Sequence, residues 1–139
     1  FDKDAWMHLQ NTSTHNTWCG LSFERFCIVH ADRIKELLGI SGIATKTYSV
    51  YSDKAQIDMI IERGDRVVNL FEMKFTTLPY TLEKKDANNL ENKMSLLQSK
   101  LKKKQSIMNV LVSTEPIKPS IYSTRLIQRN IILQDFFEK

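Results

Sequence analysis

The chain has only two cysteines, three prolines and four glycines in 139 residues. Cys19 and Cys27 lie apart with no second pair and no histidine at zinc-finger spacing, so neither a disulfide framework nor a zinc module is indicated. They read as reduced, small, buried or half-buried side chains. His8, His15 and His30 form no cluster. No run of about 18 apolar residues occurs, so no membrane span or membrane partner is expected. The opening residues lack the basic-then-apolar pattern of a secretory signal, which leaves the cytoplasm as the expected compartment. A Walker-type GxxxxGK[ST] loop is also missing, so nucleotide binding is not a property of these residues.

What is present is ordinary soluble-globular composition: 42% apolar and 26% charged residues, enough for one core in one domain. A net charge of +4 favours an anionic partner over a cationic one. Lys100, Lys102, Lys103 and Lys104 concentrate that charge at the end of an expected helix. They serve there either as solvated cations that complement the helix dipole or as phosphate contacts.

Residues 1–16 are polar and unpatterned apart from Trp6, Met7 and Leu9, and are expected to be a linker or the tail of a removed N-terminal region, with the domain over 17–139. Phe23, Phe26, Val29, Ile34, Leu37 and Leu38 recur at helical spacing, predicting one helix over 21–38 with Gly39 as its stop. Glu24 then falls in the first turn, where the dipole favours a carboxylate. Three β-rich runs follow at 44–51, 55–63 and 67–75. A helix over 82–103 carries Ala87, Leu90, Met94, Leu97 and Leu101 as its apolar stripe. A strand over 107–112, a loop marked by Pro116 and Pro119, a strand over 127–133 and a short end over 135–138 complete the order. The fold expected is α/β, a mixed central sheet flanked by helices.

The second and third strands are predicted to form a hairpin with residues 64–66 as its loop, which pairs Arg63 with Val67. That register puts Asp58 opposite Glu72 and Gln56 opposite Lys74, all on one face. Ile57, Met59, Ile61, Val67, Phe71, Met73 and Phe75 then form the apolar face. Carboxylates directly opposite on neighbouring strands have Cβ atoms about 4.5–5.5 Å apart. Such a pair repels itself unless a cation lies between, and hard divalent cations prefer oxygen ligands. Lys74 is placed to stabilise charge at a phosphate or attacking water. Gln56 is placed to orient that water or a backbone carbonyl. Glu24, expected over the same end of the hairpin, either binds a second metal or acts through a bound water. Lys84, Lys85 and Lys93 either flank a nucleic-acid path or face solvent. Tyr80 either closes over the site or covers core.

Trp18-Cys19-Gly20-Leu21-Ser22-Phe23-Glu24, His30, Ile34-Lys35-Glu36-Leu37-Leu38-Gly39-Ile40, Ala55-Gln56-Ile57-Asp58-Met59-Ile60-Ile61 and Asn69-Leu70-Phe71-Glu72-Met73-Lys74-Phe75 carry a resemblance that extends through Tyr80 and Lys84-Lys85 to Leu133-Gln134-Asp135-Phe136-Phe137. The chain resembles the PD-(D/E)XK nuclease superfamily. More narrowly, it is similar to the nuclease-like C-terminal domains of prokaryotic ATP-binding proteins of the archaeal-type ATPase family. The resemblance implies a restriction-endonuclease-like αβββαβ core acting on DNA. It makes Asp58, Glu72 and Glu24 ligands for Mg²⁺ or Mn²⁺, and Lys74 the catalytic lysine. It also implies an N-terminal ATPase domain in the full-length polypeptide, which would hold any ATP. The PD dipeptide is replaced by Ile57-Asp58, which removes no ligand. Two other readings stay open: a regulatory or nucleic-acid-binding domain with weak or no cleavage, and a structural or oligomerisation domain with solvated carboxylates.

Overall fold

The computed structural model describes residues 13–102 and 104–138, so most of the 1–16 segment, and Lys103, lie outside the described residues. The chain runs α1 (Ser13–Val29), α2 (Ala31–Leu38), β1 (Thr45–Tyr51), β2 (Gln56–Arg63), β3 (Val67–Lys74), β4 (Tyr80–Thr81), α3 (Lys84–Lys100), β5 (Ser106–Ser113), β6 (Ile117–Lys118), α4 (Ile121–Leu126), β7 (Arg129–Ile132) and a closing 3₁₀ turn (Leu133–Phe137).

A five-stranded sheet in the order β1-β2-β3-β5-β7 forms the centre, with β4 and β6 as a small separate pair. The β1–β2 and β2–β3 pairs are antiparallel, whereas β3–β5 and β5–β7 are parallel. Parallel neighbours need a crossover, and α3 supplies the one between β3 and β5. On one side of the sheet Met59, Ile61, Phe71, Val110, Val112 and Ile131 pack with Phe23, Cys27 and Ile34 of α1 and α2. On the other, Ile57, Ile60, Val68 and Leu70 pack with Ala87, Leu90 and Leu97 of α3 and Leu126 of α4. The architecture is therefore a mixed sheet covered by helices on both faces. The 3₁₀ turn is tied back to α2, where Arg33 donates to the carbonyls of Asp135 and Phe136, each at 3.2 Å, and to that of Glu138.

Helix α1 begins at Ser13, inside the segment expected to be unpatterned. Its exposed side carries Trp18, Leu21, Ile28 and Val29 while Phe23 and Cys27 are buried. Apolar residues on both sides erase the period that marks an amphipathic helix. The helix also ends at Val29, and His30, with φ −99° and ψ 30°, breaks the single helix expected there into two. No glycine or proline signals that break. Gly39 stops α2 as expected, in the left-handed conformation at φ 72°.

The hairpin register is the one the sequence predicts: Met59↔Phe71, Ile60↔Leu70, Ile61↔Asn69 and Glu62↔Val68, closed by a three-residue loop. Its left-handed residue is Arg66, at φ 68°, the third position of the loop, where the chain re-enters the strand. One expectation fails at the other end. Tyr48 faces Ile60 but Val50 faces Ile57, so Ser49 alone lies opposite both Asp58 and Met59. This bulge in β2 inverts the side-chain alternation. Ile57, expected beside Met59 and Ile61, packs instead with Ile60 and Leu70 on the α3 side.

Candidate active site

Glu72 and Lys74 lie at the carboxyl end of β3, from which the chain leaves through β4 and enters α3. Strand ends next to a crossover are where open α/β sheets form ligand crevices. A pocket of about 300 Å³ lies there, with Gln56, Glu72, Lys74, Tyr80, Asp86 and Lys93 in its wall. Each of these polar groups is engaged. Lys93 donates to Glu72 Oε1 at 2.6 Å. Lys74 Nζ lies 3.3 Å from Asp86 Oδ1 and 4.0 Å from the centre of the Tyr80 ring. Tyr80 donates its hydroxyl to Asp86 Oδ2 at 2.6 Å, and the same oxygen accepts the Glu83 backbone N–H at 2.9 Å, tying the start of α3 to the site.

Burial pulls the Lys74 ammonium down, but Tyr80 and the Asp86 carboxylate outweigh it and leave the lysine above its ordinary range. Asp86 is likewise penalised by burial. The Tyr80 hydroxyl, the Glu83 amide and Lys74 more than compensate and hold its carboxyl below the usual value. Lys74 is thus kept charged and fixed in place by a tyrosine and an aspartate. Asp86, through its contacts with Lys74 and Tyr80, joins the candidate site, and sequence reasoning did not single it out. Its signal was present as an acid in the first turn of a helix, three residues after Glu83, a pattern that reads as capping alone.

Asp58 lies half-buried on β2, one position beyond the last β2–β3 ladder pair, and Gln56 donates to its Oδ1 at 2.8 Å. It is therefore not locked opposite Glu72 by ladder bonds. The four strand residues do not line one flat face, because of the bulge: Glu72 and Lys74 engage α3, while Asp58 is the charge felt most by Glu24 on α1. Glu24 lies well inside α1 and not in a first turn, so the dipole does not explain its carboxylate. Burial raises its pKa first, then Asp58; Lys93 lowers it and Glu72 raises it again. Asp58, Glu72 and Lys93 are thus all within electrostatic reach of Glu24. Among the described residues, no group of three His, Cys, Asp or Glu side chains is drawn close enough to hold a metal ion.

The three helix lysines separate. Lys93 is committed to Glu72 and is not a solvated cation, whereas Lys84 and Lys85 are exposed. Both cysteines are free; burial pushes the Cys27 thiol up to about 12, which makes it inert as a nucleophile at neutral pH. No helix among the described residues is long and apolar enough to cross a membrane. No protein-family model, curated protein or solved structure matches the chain.

Proposed function

We propose that this chain is a restriction-endonuclease-like domain of the PD-(D/E)XK type that hydrolyses phosphodiester bonds of DNA with a divalent metal. The observation carrying the proposal is the geometry at the end of β3, where Glu72 and the fixed Lys74 line one pocket with Gln56, which holds Asp58, while Asp58 and Glu72 are charges felt by Glu24 on α1. An all-oxygen set with surplus negative charge suits Mg²⁺ or Mn²⁺ in donor type, and a cation would have to draw the three carboxylates together, since they are not gathered closely enough to hold one as they stand. Asp58, Glu72 and Glu24 would hold such a cation, which would supply Lewis-acid polarisation of the phosphate.

The remaining work falls to the chain's own groups. Gln56 holds the Asp58 carboxylate by its hydrogen bond. Tyr80 and Asp86 aim the Lys74 ammonium, which is placed to stabilise charge developing on a phosphate oxygen. Lys93 neutralises Glu72 through one carboxylate oxygen, so a cation held by that carboxylate would compete with it.

A second reading draws on a specific observation: Glu72 and Lys74 are each already satisfied by an internal partner. That arrangement suits a regulatory or nucleic-acid-binding domain attached to an ATPase, without cleavage. End-labelled plasmid and oligonucleotide DNA incubated with Mg²⁺ or Mn²⁺ separates the two. The nuclease reading predicts cleavage that Lys74→Ala and Asp58→Ala abolish; binding without cleavage under any of these conditions supports the second reading.

A further inference from the structure

At the opposite end of the hairpin from the acids, Lys46 of β1, Arg63 and Arg66 around the turn, and Lys104 ahead of β5 line a cleft of about 770 Å³. A second hollow of about 460 Å³ shares Lys46 and extends the surface to Lys100 and Lys102. The one carboxylate in both is Glu62, which accepts from the Tyr48 hydroxyl at 3.1 Å and from Gln105 at 3.5 Å. Arg63 is held by Asp65 at 2.6 Å. Among the described residues the other five cations form no ion pair with a carboxylate.

Lysines at a helix end alone would be a solvated turn. Here cations from an edge strand, a hairpin turn and the α3–β5 connection converge on one concave surface, where they repel each other unless an anion enters. Arg66 adds a second oddity. It occupies a left-handed position that glycine fills at no steric cost, so a charged side chain is kept there against a backbone preference. None of the large exposed apolar residues, Trp18, Leu21, Tyr51, Leu78, Ile121 or Phe137 among them, lines the cleft, so the apolar insertion expected of a membrane-surface site is lacking.

We infer that this cleft is a second phosphate-binding site, which holds the sugar-phosphate backbone of a nucleic acid away from the acids. The choice of nucleic acid as the polyanion rests on the function proposed above. From Asp58 to Arg63 the strand advances roughly 17 Å. That is about five base pairs of duplex, so one molecule of DNA can engage both places.

The test is fluorescence anisotropy of a labelled 20-base-pair duplex in EDTA over a series of NaCl concentrations. It compares the wild-type chain, the triple variant Lys46→Gln/Arg66→Gly/Lys104→Gln, the charge-reversed pair Lys46→Glu/Lys104→Glu, and Asp58→Ala/Glu72→Ala. Thermal unfolding establishes that each is folded, and either basic-cleft variant suffices. The expected result is metal-independent binding by the wild-type chain and by the acid-site variant. The triple variant should bind at least tenfold more weakly, with a salt slope shallower by up to about 2.7, or about 0.9 for each phosphate no longer neutralised. An unchanged slope in the basic-cleft variants, no binding by the wild-type chain, or capture by phosphatidylserine vesicles in place of DNA would overturn the inference. Binding that follows the expected pattern without cleavage under Mg²⁺ would instead defeat the nuclease reading and leave the cleft standing.

Discussion

At the scale of single residues, charge placement decides what the site can do. Glu24 is raised by burial and by Asp58, so its ionised form is less favourable in the folded chain than in the unfolded one. Its stabilising contribution is complete below the unfolded pKa and is lost as pH rises through the folded value. Glu24→Gln is therefore expected to leave the metal-free domain at least as stable as the parent at pH 7. That advantage should shrink as pH falls toward 4, which thermal unfolding across pH will show. Lys93 works in the opposite sense by competing with any cation for Glu72. Lys93→Gln should strengthen Mn²⁺ binding about fivefold, on the order of 1 kcal/mol for a half-exposed pair; calorimetry reads this directly, and weaker binding would make Lys93 a support for the site and not its competitor.

At the scale of elements, the start of α3 and the hairpin turn carry the clearest consequences. Asp86 accepts the Glu83 N–H while holding Lys74 and Tyr80. Asp86→Asn should cost about 1 kcal/mol as a weakened helix start. Because the Asp86 carboxyl is held low, its contribution is present above the unfolded pKa and is lost as pH falls through the folded one. The variant should accordingly lose part of the parent's acid-limb stability dependence below pH 4. At the turn, Arg66→Gly removes the left-handed strain and should stabilise by about 0.5–1 kcal/mol. Chemical denaturation measures both.

The hairpin was legible in the sequence because alternation and a turn cue acted together over 55–75, and the observed register follows from them. The β2 bulge was not, because nothing in Gln56-Ile57-Asp58-Met59 distinguishes a bulged strand from a regular one; it arises from how β1 pairs. The extent of α1 and the break at His30 were hidden for a related reason, the absence of any apolar period or breaker residue. Strands β4 and β6 and helix α4 are too short for periodicity to register. Of the candidate site, Asp58, Glu72 and Lys74 could be named from their strand positions and Glu24 from the first helix, though in a first turn that the structure does not give it. Their partners Lys93 and Asp86 depend on how α3 lies across the sheet, which local sequence does not encode.

At the scale of the whole molecule, the sheet separates two kinds of surface. Paired carboxylates and lysines, Glu72 with Lys93 and Asp86 with Lys74, line the pocket where β3 runs out toward α3, and cations line the cleft around the β2–β3 turn. An anionic polymer spanning both would be held by the cations and presented to the pocket, which the proposed nuclease activity would require of a chain with a modest net charge of +4. On the proposed function, Glu24, Asp58 and Glu72 form a metal site. Calorimetric titration of Mg²⁺ and Mn²⁺ into the wild-type chain and into Asp58→Ala/Glu72→Ala tests it most directly. Saturable binding by the wild-type chain that the double variant loses is the expected result; no binding at millimolar metal, or binding the double variant retains, would contradict it.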